Sequence, residues 1–248
     1  MKRDICGIMI DDLDRRSLCK EICKRLEAET PTVIFTPNPI MAQNAKKDPE
    51  FMGVLSRSHF NVPDGNGMIL ASRLLKTPLT ERISGIDLGE ALLSYAAEQG
   101  LGVFLYGGKE GVAQRAALRL KSRLPSLKIC GTSHGYRKSE DNGALLDEIN
   151  SSGASLLYVC TGSPTQEKWI DENAPKLEGI LLFMGLGGSL DVWSGDVARA
   201  PRVLQKCGGE WAWRMAKNPK KIKDLPKLIS FGVSTVVKGL ANIGTMHR

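Results

Sequence analysis

A carboxylate stands at the tip of a turn sequence, Pro63-Asp64-Gly65-Asn66-Gly67. Two readings of Asp64 stand side by side. Asp forms turns, because its short side chain bonds to nearby backbone groups. A positioned carboxylate is also what a sugar hydroxyl needs to act as a nucleophile, since its proton must be taken in the transition state. Arg82, in Thr80-Glu81-Arg82-Ile83-Ser84-Gly85-Ile86-Asp87, reads either as a surface partner of Glu81 or as a planar cation suited to a diphosphate leaving group. Asp87 and Glu90 have the spacing of a capping box at a helix start.

Other polar groups sit where backbone conformation is restricted. In Thr36-Pro37-Asn38-Pro39 each proline forces the residue before it into extended geometry. The segment is a rigid turn, or it offers the Thr36 hydroxyl and the Asn38 amide to a sugar. Gln166 follows Ser163-Pro164-Thr165, which fits a capping box with Pro at the first helical position; it caps its own helix or faces a sugar or phosphate. The turn Gly185-Leu186-Gly187-Gly188 either supplies positive φ or brings backbone N–H groups to an anion. Asp191 beyond it is solvated or accepts from a nucleobase N–H. No complete GxGxxG and no P-loop is present, which argues against a conventional dinucleotide enzyme or nucleotide triphosphatase.

These residues must be held by regular elements. Short β-rich runs at Ile5–Ile10, Thr32–Thr36, Gly102–Tyr106, Leu127–Cys130, Ser155–Cys160 and Ile180–Met184 alternate with helix-period stretches. Leu18, Ile22 and Leu26 share one helix face; Leu88, Leu92, Leu93 and Ala96 share another, closed by Gly100. Ala113, Ala116, Ala117 and Leu120 mark a third, and Ala144, Leu145 and Ile149 a fourth. Such alternation predicts an α/β fold, a mostly parallel sheet with helices on both faces. Ligands of such sheets bind outside the carboxyl ends of the strands. The segments starting at Thr36, Tyr106, Gly131 (running to Tyr136), Thr161 and Gly185 all fall there, and all are small, polar or backbone-exposing.

Composition narrows the class. With 42% apolar and 25% charged residues in 248, the chain is neither disordered nor fibrous. It carries 34 basic and 27 acidic residues, of which 11 and 2 lie in Arg199–Arg248; the other 198 residues hold 23 and 25. The positive charge therefore belongs to the C-terminal fifth and points to an anionic partner there. Lys217, Lys220, Lys221, Lys223 and Lys227 lead into an apolar stripe of Leu225, Ile229, Val233, Val236, Leu240 and Ile243 at helical steps. The stripe packs on its own domain, on another subunit, or on an anionic leaflet. Six cysteines without CxxC spacing and three histidines without HxxxH make a zinc site improbable and suggest reduced thiols. The N-terminal apolar run is too short for a signal peptide and reads as a first strand. No uncharged run reaches the length of a membrane span. No nucleic-acid-binding motif is present, and basic and aromatic residues do not interleave.

Taken in order, Thr36-Pro-Asn-Pro39, Pro63-Asp-Gly-Asn-Gly67, Arg82-x-Ser-Gly-x-Asp87, Tyr106-Gly-Gly108, Gly162-Ser-Pro-Thr-Gln-Glu-Lys-Trp-Ile170, Gly185-x-Gly-Gly188, Ser194-Gly195, Arg199-Ala-Pro-Arg202, Glu210-Trp211 and Arg214 resemble the WecG/TagA/CpsF glycosyltransferase family over the whole chain. The resemblance implies a Rossmann-like catalytic domain over 1–195 and a membrane-proximal basic helical appendage over 196–248. It implies an inverting transfer without a required metal or other cofactor. In the teichoic-acid branch, N-acetylmannosamine passes from UDP to undecaprenyl-diphosphate-linked N-acetylglucosamine; elsewhere in the family the donor is UDP-N-acetylmannosaminuronate or UDP-glucose. Carried over, Asp64 is the general base, Thr36, Asn38, Arg82 and Gln166 surround the substrate, and Tyr136, Gly185, Gly187 and Asp191 lie near UDP. Thr165 departs from the Lys or Arg common before the Gln, which leaves more of the diphosphate charge to Arg82 and helix N-termini. The implied partners are a UDP-sugar, a polyprenyl-diphosphate-linked acceptor and an anionic membrane surface met by 196–248. Nucleic acid is not among them, and homo-oligomer formation stays open. The implied location is cytoplasmic, peripheral on the inner face of the cell membrane. A non-enzymatic anion- or nucleic-acid-binding module is the rival from another class.

Overall fold

The structure, a computed structural model, describes residues 1–206, 209–217 and 219–245. Its eight strands are β1 (Lys2–Ile5), β2 (Ile8–Asp11), β3 (Thr32–Phe35), β4 (Phe60–Asn61), β5 (Gly102–Gly107), β6 (Lys128–Ser133), β7 (Leu156–Cys160) and β8 (Leu182–Gly185). The helices through the sheet region are α1 (Arg15–Glu27), α2 (Pro39–Lys47), α3 (Pro49–Arg57), α4 (Asn66–Leu74), α5 (Gly85–Gln99), α6 (Val112–Arg123), α7 (Asn142–Ser151), α8 (Thr165–Asn173) and α9 (Ser189–Trp193). After them come α10 (Arg202–Lys206), α11 (Glu210–Lys217) and α12 (Leu225–Thr245).

Among the described residues the main sheet has six parallel strands in the order β4-β3-β8-β7-β5-β6. The expected α/β architecture is therefore what forms. Strands β5 and β7 are buried along their whole length, as centre strands covered on both faces must be. Their side chains alternate between two cores. Val103, Leu105, Leu156 and Tyr158 face α1, α5 and α6, while Phe104, Tyr106, Leu157 and Val159 face α2, α3, α4, α7 and α8. The helix faces read from Leu18, Leu88 and Ala113 are the buried ones; of the fourth, Leu145 and Ile149 are buried but Ala144 is exposed, and Gly100 closes α5 in the left-handed conformation at φ 68°.

The run Ile5–Ile10 is not a strand of this sheet. It folds back at Cys6 (φ 58°) and Gly7 (φ 96°) into an antiparallel hairpin of β1 with β2. A two-residue turn with both φ positive matches the twist of the strands it joins. The hairpin lays Ile5, Ile8 and Ile10 on the second core. The sequence also hides β4, whose two residues complete one edge of the sheet.

Helix α12 packs on α2 and α4. The face it turns to the domain is small and polar apart from Phe231. The Ser230 hydroxyl donates to Gln43 Oε1 (3.2 Å), and Gln43 Nε2 donates to Ser234 Oγ (3.3 Å). Phe231 and Thr235 are buried, and a Cβ at Gly239 would lie 2.8 Å from the Leu74 carbonyl oxygen. The apolar stripe of Leu225, Ile229, Val233, Val236 and Leu240 points the other way, at 37% to 64% exposure. The side chains of Arg202, Arg214, Lys217, Lys220, Lys221 and Ile243 lie outside the described set.

Strand β5 meets β7 most closely at its end, where Gly107 has φ 136° and a Cβ would drive into the Cys160 carbonyl. Replacing Gly107 with Ala should lower stability by at least about 2 kcal/mol, read as a drop in the urea midpoint.

Candidate active site

The segments that follow β3 and β4 are stitched together by backbone bonds. The Val62 N–H donates to the Phe35 carbonyl (2.9 Å) and the Asp64 N–H to the Pro37 carbonyl (3.0 Å). The Ile83 N–H donates to the Pro63 carbonyl (3.1 Å), so the Arg82 segment lies against the same loop. Thr36 is buried, and a Cβ at Gly85 would stand 3.1 Å from its Oγ1. The start of α5 thus sits directly on Thr36. Asn38 is the N-cap of α2: its Oδ1 accepts from the Ile40 (3.0 Å) and Met41 (3.1 Å) N–H groups. That use leaves its Nδ2 as the group to meet a ligand. Thr36, Asn38, Asp64 and Arg82 are thereby brought to one corner, at the β4 edge of the sheet.

A second cluster forms beyond β7 and β8, the strands adjoining β3 toward the sheet centre. Gln166 Oε1 accepts from the Gly187 N–H (2.8 Å) and the Gly162 N–H (3.3 Å), while the Gln166 N–H donates to the Gly162 carbonyl (2.8 Å). The expected capping box from Ser163 is thus replaced by a reciprocal pair with Gly162. Helix α8 begins at Thr165 with Pro164 at the N-cap, and a proline has no side-chain acceptor to offer. Gln166 lies against Gly185, whose Cβ would stand 2.9 Å from Nε2. Buried as it is, the amide fixes the shape of the glycine turn. Asp191 lies in the first turn of α9, past that turn. Tyr136 is apart from the first cluster, but Gly135 before it packs on Thr161, next to Gly162 of the second. Tyr136 is 73% exposed after edge strand β6, four strand spacings or ~19 Å from β3.

Glu167 carries information the sequence conceals. It is fully buried, and its Oε1 accepts from Gln166 Nε2 at 2.6 Å. Burial pushes its carboxyl up from the usual range, against the lowering effect of bonds from Gln166 and Ser163. An acid early in a helix ordinarily complements the helix dipole from the surface, so nothing in the sequence marks this one as interior. Nearby, burial raises the Cys160 thiol to about 12, which removes it as a nucleophile.

The cations gather at α5. Arg199 Nη1 lies 2.7 Å from Asp87 Oδ1, and Arg82 Nη1 lies 3.8 Å from Glu210 Oε2. Burial raises the Asp87 carboxyl, but the Arg199 guanidinium outweighs it and holds the group below its usual range. Asp87 is therefore not half of a capping box; Glu90 instead accepts from Trp193 Nε1 (3.0 Å) and pairs with Arg123. Arg199 Nε and Nη2 are buried with no hydrogen-bond partner among the described residues. Helices α4 and α5 start without a side-chain cap, so their first N–H groups are available to an anion. Two cations and two helix starts suit a diphosphate. Among the described residues no group of three His, Cys, Asp or Glu side chains could hold a metal; Cys207, His247 and Arg248 lie outside them.

Because Glu167 holds its proton more tightly folded than unfolded, the stability it allows is fullest at acid pH. It is lost as pH rises from the ordinary glutamate range toward the raised folded value. Glu167→Gln keeps the acceptor for Gln166 and cannot ionise. Its urea midpoint should gain on wild type steadily from acid to neutral pH, whereas a gap that does not change with pH would mean that Glu167 is not held protonated.

Comparison with known proteins points to one family. Residues 3–242 match the Glycosyl transferase WecG/TagA/CpsF family. The chain is 37% identical over 222 residues, 90% of its length and 85% of the relative's, to an N-acetylglucosaminyldiphosphoundecaprenol N-acetyl-beta-D-mannosaminyltransferase of Bacillus subtilis strain 168. It is 35% identical over 208 residues, 83% of its length and 80% of the relative's, to the protein of the same name in Bacillus spizizenii. With a nearly full-length family match and relatives of this similarity, the chain belongs to the WecG/TagA/CpsF family of glycosyl transferases.

Proposed function

We propose that the protein transfers N-acetylmannosamine from UDP to the N-acetylglucosamine of a diphosphoundecaprenol-linked acceptor, with inversion at the anomeric carbon. The observation that carries the reading is the tie of the Asp64 loop to Pro37 on one side and to the Arg82 segment on the other. It sets a carboxylate beside a sugar-binding strand tip and a cationic helix start. Asp64 takes the proton of the acceptor hydroxyl as that oxygen attacks the anomeric carbon. The bond to the UDP oxygen breaks on the opposite face. Charge growing on the diphosphate is met by Arg82 and the α5 start, fixed before the reaction begins. Thr36 and Asn38 orient the sugar; Gln166, Gly185 and Gly187 shape the turn beside it, and Asp191 and Tyr136 lie toward the nucleotide. With these cations in place the transfer needs no metal ion.

The same reading puts residues 196–248 on an anionic leaflet at the inner face of the membrane. No helix of the described residues is long and apolar enough to cross a membrane. Support comes from the facing of α12: its small polar side meets the domain and its apolar stripe is turned out. Basic residues near a leaflet add about 1 kcal/mol each.

Asp64→Asn should abolish transfer while UDP binding by calorimetry is retained; near wild-type turnover would end the assignment of the base. Wild-type transfer should proceed unchanged in EDTA, and loss of turnover restored by a divalent cation would refute the metal-free reading. For the membrane, Ile229→Glu with Val233→Glu should abolish flotation with anionic vesicles. A change in oligomeric state with flotation intact would instead put the stripe at a subunit interface.

A further inference from the structure

The cavity beside Asp64 on the α4 side has no assigned role. It has a volume of about 520 Å³ and is lined by residues of α4 from Asn66 to Arg73 and by Thr80, Glu81 and Arg82. Asn66 is two residues past Asp64, and Arg82 precedes the residue whose N–H holds Pro63. The cavity therefore lies close to the loop that carries Asp64. It lies at the β4 edge, whereas Gln166 and the glycine turn lie inward, beyond β8 and β7. Arg82, the residue proposed for the leaving diphosphate, also lines this cavity, so the cavity adjoins the donor site.

The chemistry along α4 changes in a definite order. Asn66, Leu70, Arg73 and Leu74 share a helix face at steps of four, three and one. Asn66 to Arg73 spans ~10 Å along the axis, about a hexose with its diphosphate. Arg73 is exposed and has no carboxylate partner among the described residues. Glu81 lines the same cavity, but its Oε2 is engaged by the Arg15 N–H at 2.8 Å. Leu70, 59% exposed, lies between Asn66 and Arg73, and past Arg73 the surface turns apolar at Leu74, 41% exposed. The Leu74 carbonyl lies under Gly239 of α12, whose outward Val236 and Leu240 continue the apolar surface. With Leu70 set between the first two, Asn66, Arg73 and Leu74 offer amide, cation and hydrocarbon in the order that suits a sugar linked through diphosphate to a polyprenyl chain.

We infer that this α4 cavity is the acceptor site, with Leu70 beside the sugar, Arg73 holding the acceptor's diphosphate and Leu74 taking the first part of the lipid. The inference rests on the proposed transfer to a lipid-diphosphate acceptor and adds where that acceptor lies. Asn66 meets the sugar that presents its hydroxyl to Asp64, and the lipid leaves along α4 toward the outward face of α12.

The test is steady-state transfer from UDP-N-acetylmannosamine to N-acetylglucosaminyl-diphosphate lipids of short and long chain. Arg73→Ala should raise the acceptor KM by roughly tenfold to a hundredfold, the range for a lost charge-assisted contact, with the donor KM little changed. Arg73→Lys should recover part of the loss. Leu74→Glu should reduce kcat/KM more for the long-chain acceptor than for the short one. An unchanged acceptor KM in Arg73→Ala, with wild type active, would overturn the site while leaving the proposed function standing. A raised donor KM or weakened UDP binding would put the cavity on the donor side and overturn it too. Wild-type inactivity on both acceptors would sink the proposed function and this inference with it.

Discussion

A single backbone hydrogen bond, from the Asp64 N–H to the Pro37 carbonyl, turns an ordinary bend into part of a site. Proline leaves Pro37 without an N–H of its own, so the segment offers its carbonyl outward from a backbone with little freedom. Asp64 inherits that stiffness. The Ile83 N–H then fastens the other side of the loop to the segment that starts α5. Thr36 closes the arrangement by packing on Gly85, where a larger residue would force the helix away. A carboxylate proposed as a base must not wander, and here main-chain bonds hold the backbone that carries it.

The second cluster follows the same logic with a side chain as the tie. One buried amide, Gln166, spans the turns after β7 and β8 and is itself held by Glu167. A buried acid that stays neutral can hold such an amide at lower desolvation cost than a charged one. The two clusters meet because β3 and β8 are neighbours in register, Ile34 opposite Met184. The crevice is thus a property of strand order. Two chain segments far apart in sequence, 36–85 and 160–191, converge only when the parallel sheet forms.

Much of this was legible in the sequence. Centre strands covered on both faces are continuous apolar runs, so β5, β7 and β8 stood out, and helix faces such as Leu88-Leu92-Ala96 were plain from their period. The β1–β2 hairpin was hidden because Cys6 carries no signal of positive φ, and β4 because two residues have no pattern. Thr36 and Asn38 could be picked out as polar groups after a strand, Asp64 as a carboxylate at a turn tip and Arg82 as a cation suited to a diphosphate. The Gln166 bridge could not, since it depends on where the Gly187 turn arrives, whereas the Asn38 cap is local, to the N–H groups of Ile40 and Met41. Periodicity likewise showed which residues of α12 share a face. It could not show that the apolar face is turned outward, because a binary pattern is silent about which side the domain occupies.

The facing of α12 has a consequence for how the protein would meet its substrate. A helix joined to its domain through serines, a threonine and a glycine, and lying across α2 and α4, is a platform fixed in orientation to the α4 edge. When its outer stripe rests on a lipid surface, the domain is both concentrated there and turned to a set heading. Encounter with a lipid-borne molecule then becomes a search in two dimensions. Its rate follows the number of such molecules per unit area of bilayer rather than their amount in the cell.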